Sequence, residues 1–437
     1  MEKMYELNGK KCDCGLPHVF NVKEIIIGKN KLKEIVRIVK EFGAKKPYVF
    51  GDKNTFKACG NKVCKILKDA GINFKEYVIR SDFFEPDEKT VGSVIMNQDT
   101  DCDLVIGVGS GVINDVGKII ASRGNKPYVI VATAPSMDGY ASDTSSVLLD
   151  GRKITLKSKS ADVIIGDLDV IKNAPEQMLK AGLGDMLAKY VSILEWRISN
   201  LITGEYYCEK IAELVRYSLK RCVDNAEGLL KREESAVEAV LKGLIICGVA
   251  MKYAHASRPA SGFEHYVSHC LDMRGAEFGT PIALHGLQCG IGTLYATKLY
   301  ERLVKITPNE EKAVAHIKSF DKEKYFLFLK ELFGSASNSM IELEKAEKKY
   351  DVEKTIIRIK KIIKEWDNIV KIIQEELPSY KKINDILDLI KAPKTLEEIG
   401  TSESLFPKFF LATKDIRDKY VLSRLCFDLD IENEILD

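Results

Sequence analysis

Through roughly the first 170 residues, short apolar runs rich in β-branched residues alternate with stretches whose apolar positions recur every three to four residues. "PYVFGD" is followed by the helical pattern "KACGNKVCKILKDAG", then by "FKEYVI", "DLVIGVG" and "YVIVATAPS". Strands separated by helical stretches predict parallel βαβ units and a doubly wound sheet. From Ala174 onward the alternation fades and long helical periodicities take over, as in "AVEAVLKGLIICGVAMKYA". The pattern therefore predicts an α/β domain over residues 1–172 and an all-α domain over 173–437. Within the second, Val352, Ile356, Ile359, Ile363, Trp366, Val370 and Ile373 fall on one stripe of a helix, expected to face the protein's own core. The Lys- and Glu-rich stretch 305–394 reads as the solvated side of such helices. No Pro- or Ser-rich linker divides the halves, and no internal repeat is evident.

Composition narrows the picture modestly. Of 437 residues, 30% are charged and 45% hydrophobic, which is ordinary for a globular chain, and the formal net charge is only +2. Acidic and basic residues are interspersed, so nothing marks a nucleic-acid or anionic-membrane partner, and a small molecule fits better. The opening "MEKMYELNGKKCDCG" lacks an apolar signal core, and no apolar segment is long enough to span a bilayer, which predicts a cytoplasmic protein. Eleven cysteines, an odd number spread along the chain, are expected to be reduced thiols. Cys12, Cys14 and His18 form a C-x-C-x3-H arrangement that could bind zinc. No second half of a site is evident, and the segment reads as an N-terminal loop.

Candidate chemistry concentrates in two places. "DLVIGVGSGVINDVGKIIAS" sets a buried strand before Gly107, Gly109, Ser110 and Gly111 and then a helix, a turn that lets backbone approach a diphosphate at a helix N-terminus. It is not a phosphate-binding Gly-Lys-Ser/Thr loop, and Ile113 and Asn114 stand where a standard G-x-G-x-x-G has its third glycine. Asp52 ends "YVFGD", where dinucleotide folds place the acid that meets adenosine ribose; the plainer alternative is a helix-capping aspartate. A third strand end supplies Thr133, Ser136, Asp138 and Ser142.

The second place is "HASRPASGFEHYVSHCLDMRGAEFGTPIALHG", which holds four of the six histidines. His265 and His269 are four apart and would share a helix face. His285 follows before Gly286. Asp185 interrupts the small and apolar helix pattern "KAGLGDMLAKYVS", where a carboxylate is costly unless paired or metal-bound. One aspartate and two histidines make a reasonable three-ligand set for a divalent ion, with Zn²⁺, Ni²⁺ and Fe²⁺ all suited. The order is not H-E-x-x-H, so a metalloprotease is unsupported.

"GSGVINDVGK", "TAPSMDGYASDTSSV", "GLGDMLAKY", "SRPASGFEHYVSH" and "LHGLQCGIGT" occur in one order across roughly residues 40–300. Together they resemble the bacterial branch of the sn-glycerol-1-phosphate dehydrogenases, in the superfamily of glycerol dehydrogenases, iron-type alcohol dehydrogenases and dehydroquinate synthase. The resemblance implies a Rossmann-like NAD(P)-binding domain before an all-helical domain, the dehydroquinate synthase-like arrangement. It implies NAD(H) or NADP(H) and one divalent metal as cofactors, a homodimer, and a role in phospholipid biosynthesis. Carried over by position, Asp52, Gly109, Gly111, Val112, Ile113, Asn114, Asp115, Thr133, Ala134, Pro135, Ser136 and Ser142 line the cofactor. Asp138, Asp185 and His269 meet substrate and carry the chemistry, and Asp185, His265 and His285 bind the metal. The implied reaction is reduction of dihydroxyacetone phosphate to sn-glycerol 1-phosphate. Two alternatives stand beside it: oxidation of glycerol or another alcohol on the same scaffold, and a non-catalytic nucleotide-binding or assembly protein. A carbon–oxygen lyase of the dehydroquinate type fits the motif details least. His18, His255 and His316 lie outside the pattern and read as structural. Arg258 could clamp a phosphate, with a capping or surface role as the alternative. The chain beyond about Tyr300 matches no motif.

Overall fold

The structure, a computed structural model, describes the chain apart from Asp82, Phe83, Asp150 and Gly151. Among the described residues eight strands occur: β1 (Glu24–Gly28), β2 (Pro47–Asp52), β3 (Lys75–Ile79), β4 (Leu104–Gly109), β5 (Tyr128–Ala132), β6 (Thr144–Leu149), β7 (Arg152–Lys157) and β8 (Val163–Asp167). Six of them form a parallel sheet in the order β1-β8-β5-β4-β2-β3, while β6 and β7 make a separate antiparallel hairpin. Strands β2, β4, β5 and β8 are buried along their whole length, as the continuous apolar runs require of strands covered on both faces. Ile35, Ile38 and Val39 of one covering helix, with Val63 and Leu67 of another, close over Val49, Ile106 and Val129. Burying each such side chain stabilises by about 1.5–3 kcal/mol.

Six helices carry the rest of the argument: α1 (Gly111–Arg123), α2 (Glu176–Leu187), α3 (Lys189–Thr203), α4 (Glu234–Ala254), α5 (Phe263–Phe278) and α6 (His285–Leu303). The chain groups into two compact units, one of residues 1–186 with 217–256 and one of 187–216 with 257–437. The expected functional cut at 172/173 thus runs through the first unit. Helix α4 returns to that unit because it packs against the short turn Gly139–Ala141. It ends at His255, which takes the left-handed conformation (φ 52°) while Ala256 N–H donates to Met251 O at 3.3 Å. His255 is therefore a helix terminator, a position tolerated by few residues other than glycine.

In the second unit, the region beyond Tyr300 is neither a tail nor a separate body. Ile317, Leu329, Ile359, Ile362, Ile369, Ile373, Phe409 and Phe410 share one core with Phe263, Tyr266 and Val267 of α5. The stripe expected over 351–377 faces the core: Ile359 and Ile373 are buried, and Ile356, Ile363 and Trp366 pack against the same cluster. Two helices, α7 (Val352–Lys364) and α8 (Trp366–Glu376), meet at Glu365. Ile359, Ile362, Ile369 and Ile373 are buried, whereas Val352 is 39% exposed. Ile362 and Ile369, outside the expected stripe, are buried as well, where the two helices pack against α3. Among the described residues no helix is long and apolar enough to cross a membrane.

Candidate active site

The sheet reverses its winding between β2 and β4: β3 adds outside β2, whereas β5 and β8 add beyond β4. The carboxyl ends flanking such a reversal are where ligands of open parallel sheets sit, and they bring Asp52, Gly109 and Thr133 to one edge. Thr133 N–H donates to Gly109 O at 3.1 Å. Gly109 is required there, since a Cβ would lie 2.5 Å from Ile113, which tucks beneath the turn. Helix α1 begins at Gly111 after Ser110, with no side-chain cap, and Asn114 N–H makes the first bond back to Ser110 O at 2.8 Å. The N–H groups of Gly111, Val112 and Ile113 lie in the first turn, before any intrahelical partner, which suits an anionic ligand.

Asp52 accepts from Asn54 N–H at 2.7 Å and Thr55 N–H at 3.2 Å, both on Oδ1, so it is the cap of the short helix Lys53–Thr55. Asn114 is wholly buried; it donates to Gly139 O at 3.0 Å and accepts from the Tyr128 hydroxyl at 3.3 Å. Ser142 Oγ donates to Gly139 O or Thr144 O, each at 3.1 Å. Ala134 O accepts from the Tyr140 hydroxyl at 2.6 Å, and Ser136 Oγ lies 2.6 Å from Ser110 Oγ. Asn114, Ala134 and Ser142 thus build the walls of the edge.

Lys118 escaped the sequence reading. It is fully buried, pairs with Asp115 Oδ1 at 2.9 Å, and donates to Gly139 O at 3.3 Å and Ser142 Oγ at 3.2 Å. The signal was an aspartate and a lysine three apart on an otherwise apolar helix face.

The loop after β5 is held by glycine notches. A Cβ at Gly182 of α2 would lie 1.8 Å from Pro135 O, and one at Gly248 of α4 would lie 2.8 Å from Asp138 O. Backbone therefore lies directly on both helices. One result is that Asp138 N–H donates to Asp185 Oδ2 at 3.1 Å, with Asp185 fully buried. The two aspartates expected to meet substrate are joined.

In the second unit, α5 and α6 bring the histidines together. The rings of His265 and His285 are 5.0 Å apart, centroid to centroid, and those of His269 and His285 are 6.5 Å apart. His285 Nδ1 meets Ser268 Oγ at 3.0 Å. Ser268 donates its proton to Gln288 Oε1 at 2.5 Å, and the Gln288 amide is oriented by donating to Ala283 O at 3.1 Å. With that proton committed, Ser268 Oγ can only accept, so His285 carries its proton on Nδ1 and keeps the Nε2 lone pair. His265 Nδ1 faces Glu264 Oε1 at 2.7 Å, which likewise leaves Nε2 as the donor atom. A histidine held by a carboxylate through one nitrogen is the usual support of a metal ligand. Cys289 Sγ lies 3.6 Å from His285 Nε2, within the same cluster of donors.

Behind α5 the segment "SRPASG" is clamped by its carbonyls. Ser192 Oγ donates to Pro259 O at 3.1 Å, Lys189 to Ala260 O at 3.0 Å and Lys419 to Ser261 O at 2.7 Å. The first turn of α5 receives two carboxylates: Gly262 N–H donates to Glu264 at 2.7 Å and Phe263 N–H to Glu195 at 2.8 Å. Burial raises both acids, Glu195 to about 8, with the charge of Glu264 adding to the effect, and Glu264 to about 7. Burial also pushes Lys419 down to about 7. Arg258 is only 2% exposed, pairs with both oxygens of Glu205, and donates to Tyr420 O at 3.1 Å. Both readings of Arg258 are therefore corrected: it is neither on the surface nor presented to a phosphate, because its donors are engaged within the core. His316, 3.1 Å from Asp430 and stacked edge-on against Phe427, is structural as expected.

A family model described as iron-containing alcohol dehydrogenase matches residues 26–175. A glycerol-1-phosphate dehydrogenase of Bacillus licheniformis, named as using NAD(P)+, is 30% identical over 342 residues, covering 76% of this chain and 85% of the relative. The protein of the same name from Pyrococcus furiosus is 35% identical over 280 residues, 64% of this chain and 78% of its own. Among solved structures, glycerol dehydrogenase of Schizosaccharomyces pombe superposes with a TM-score of 0.63 at 17% identity, covering 98% of this chain and 92% of that one. A 1,3-propanediol oxidoreductase superposes with a TM-score of 0.61 at 15% identity, over 95% of this chain and 98% of that one. At such identities these two speak for the fold alone.

Proposed function

The chain belongs to the glycerol-1-phosphate dehydrogenase family, and from that premise we propose that it reduces dihydroxyacetone phosphate to sn-glycerol 1-phosphate with NAD(P)H and a divalent metal. The observation that carries the metal is the pair of histidines whose outer hydrogen bonds commit each Nδ1 and present each Nε2. Asp185, a fully buried carboxylate, is the oxygen ligand of the set in this reading. This donor set fits Zn²⁺, Ni²⁺ or Fe²⁺. When bound, the metal polarises the substrate carbonyl and the dihydronicotinamide provides the hydride.

The chain's own residues bind and orient. Gly109 and Gly111, with the first-turn amides through Ile113, receive the cofactor diphosphate, and Thr133, Pro135 and Ser136 border it. Asp52 turns its second oxygen to the adenosine ribose. That carboxylate disfavours a 2′-phosphate, while Lys53 beside it softens the preference, so both cofactors are used and NADH is preferred. Asp138 and Asp185 hold the substrate hydroxyl side, linked through the Asp138 amide. His269, one helical turn after His265, delivers the proton that the new C2 hydroxyl requires as hydride reaches C2. Residues 1–172 are the cofactor-binding part and 173–437 the helical part in this reading, which also takes the enzyme as a cytoplasmic homodimer.

The test is oxidation of NADH by chelator-treated protein with dihydroxyacetone phosphate, before and after Zn²⁺, Ni²⁺ or Fe²⁺ is restored, with product chirality determined. Metal-dependent formation of sn-glycerol 1-phosphate is expected. Turnover of glycerol without turnover of the phosphorylated substrate would overturn the substrate assignment, and no turnover with any metal, substrate or cofactor would overturn the enzyme.

A further inference from the structure

The segment before β1 is not a loose arm. Gly9 N–H donates to His18 O at 2.7 Å, Phe20 N–H to the Asn8 side chain at 3.1 Å, and Gly15 N–H to Cys12 O at 3.0 Å, closing a turn in which Gly15 is left-handed at φ 85°. The segment is fastened to the end of α4. The Tyr253 hydroxyl donates to Met4 O at 2.8 Å, and the Tyr253 ring packs against Phe20 at 5.8 Å and His18 at 5.3 Å. His18 is wholly buried there. Residues 8–23 carry no helix or strand, as in the expected loop, and the aromatic end of α4 gives that loop a surface to fold on.

Cys12, Cys14 and His18 converge inside this fold, their donor atoms within 4.8 Å of one another. Cys14 Sγ lies 3.5 Å from His18 Nε2. Bonds of about 2.3 Å to sulfur and about 2.0–2.1 Å to nitrogen, opened to the tetrahedral angle, set sulfur and nitrogen about 3.5 Å apart. We propose that Cys12, Cys14 and His18 are ligands of a structural zinc ion, a second metal site distinct from the catalytic Asp/His/His set. A fourth donor completes the tetrahedron. Thiolates select zinc over the harder ions, and the ion would cross-link the turn, pinning the first twenty or so residues.

The proposal does not depend on the catalytic reading, and its test separates the two. Metal analysis of the purified full chain should find two ions per chain. Cobalt-substituted protein should show thiolate-to-cobalt charge-transfer absorption that survives His265→Ala and vanishes in the double variant Cys12→Ser/Cys14→Ser. The double variant should keep one ion and near-wild-type turnover, with a lower thermal midpoint. If that variant fails to fold, zinc-edge X-ray absorption of the unmodified protein decides, with sulfur scattering at about 2.3 Å expected. A single ion per chain, no sulfur around zinc, or a charge-transfer band unchanged in the double variant would each overturn the site.

Discussion

The loop after β5 and the histidine window of α5 and α6 both present polar groups, but opposite means hold them in place. The loop is positioned by what is missing: Gly182 and Gly248 let backbone lie on α2 and α4, and Gly109 lets Ile113 tuck beneath the turn. The window is positioned by what is added, a chain of side-chain hydrogen bonds from Gln288 through Ser268 to His285 and the Glu264 carboxylate behind His265. A steric notch has no chemical substitute, whereas a hydrogen-bond chain can be edited one proton at a time. The two regions should therefore fail differently.

The largest effect belongs to the window's proposed metal ligands. His265→Ala and His285→Ala should each lose the catalytic metal and turnover together, by at least about 10³-fold in kcat/KM if the ion contributes several kcal/mol. Full metal content and turnover in either variant would remove that residue from the ligand set.

Next comes the loop. Gly182→Ala, whose methyl would sit 1.8 Å from Pro135 O, should destabilise by about 3 kcal/mol, more than Gly248→Ala at 2.8 Å from Asp138 O. Denaturant midpoints check this, and wild-type stability in Gly182→Ala would mean the notch is not needed.

A subtler edit tests the proton chain. Gln288→Leu removes the acceptor that takes the Ser268 proton, so Ser268 can donate to His285 Nδ1 and drive the ring proton to Nε2. Metal affinity should fall by roughly 10–100-fold with kcat of the loaded enzyme little changed. Unaltered affinity in a metal titration would show that the tautomer is set elsewhere.

Asp52 caps a helix and is proposed to meet the adenosine ribose, and two substitutions separate these roles. Asp52→Ala should cost about 1 kcal/mol of stability through the lost cap. Asp52→Ser should keep the cap, and both variants should relax the preference for NADH over NADPH. A large NADPH preference in the wild-type enzyme would contradict the ribose assignment outright.

The smallest effect is one of slope. Glu195 is raised to about 8, so the metal-free folded chain retains a proton that the unfolded chain has already released above its ordinary carboxylate range. Stability is then fully present at low pH and falls as pH rises from about 5 towards 8. Thermal midpoints across that window should decline less in Glu195→Gln than in the wild type.

Much of this molecule could be read along the chain because its signals are local. Continuous apolar runs marked β2, β4 and β5, and the four-residue step from His265 to His269 marked a shared helix face. Other features had no local signal. Arg258 looks in sequence like any exposed guanidinium, and only Glu205, Ser199 and the Tyr420 carbonyl, brought by distant segments, turn it into a core residue. Cys12, Cys14 and His18 lie in the loop that the sequence suggests, and only Tyr253 of α4, packed against His18, shows how that loop is fastened. Along the stripe over α7 and α8, spacing alone did not mark Ile362 and Ile369 as buried beside it.

By itself, the order of residues determined the elements, the glycine-rich turn after β4 and the candidate ligands Asp185, His265 and His285, since periodicity and backbone permissiveness act over a few residues. The tertiary structure alone decided which nitrogen of each histidine faces outward, which glycines must remain glycine, and which buried charge pairs with which. Those depend on atoms many residues apart meeting within a hydrogen bond's reach, and no local pattern encodes that distance.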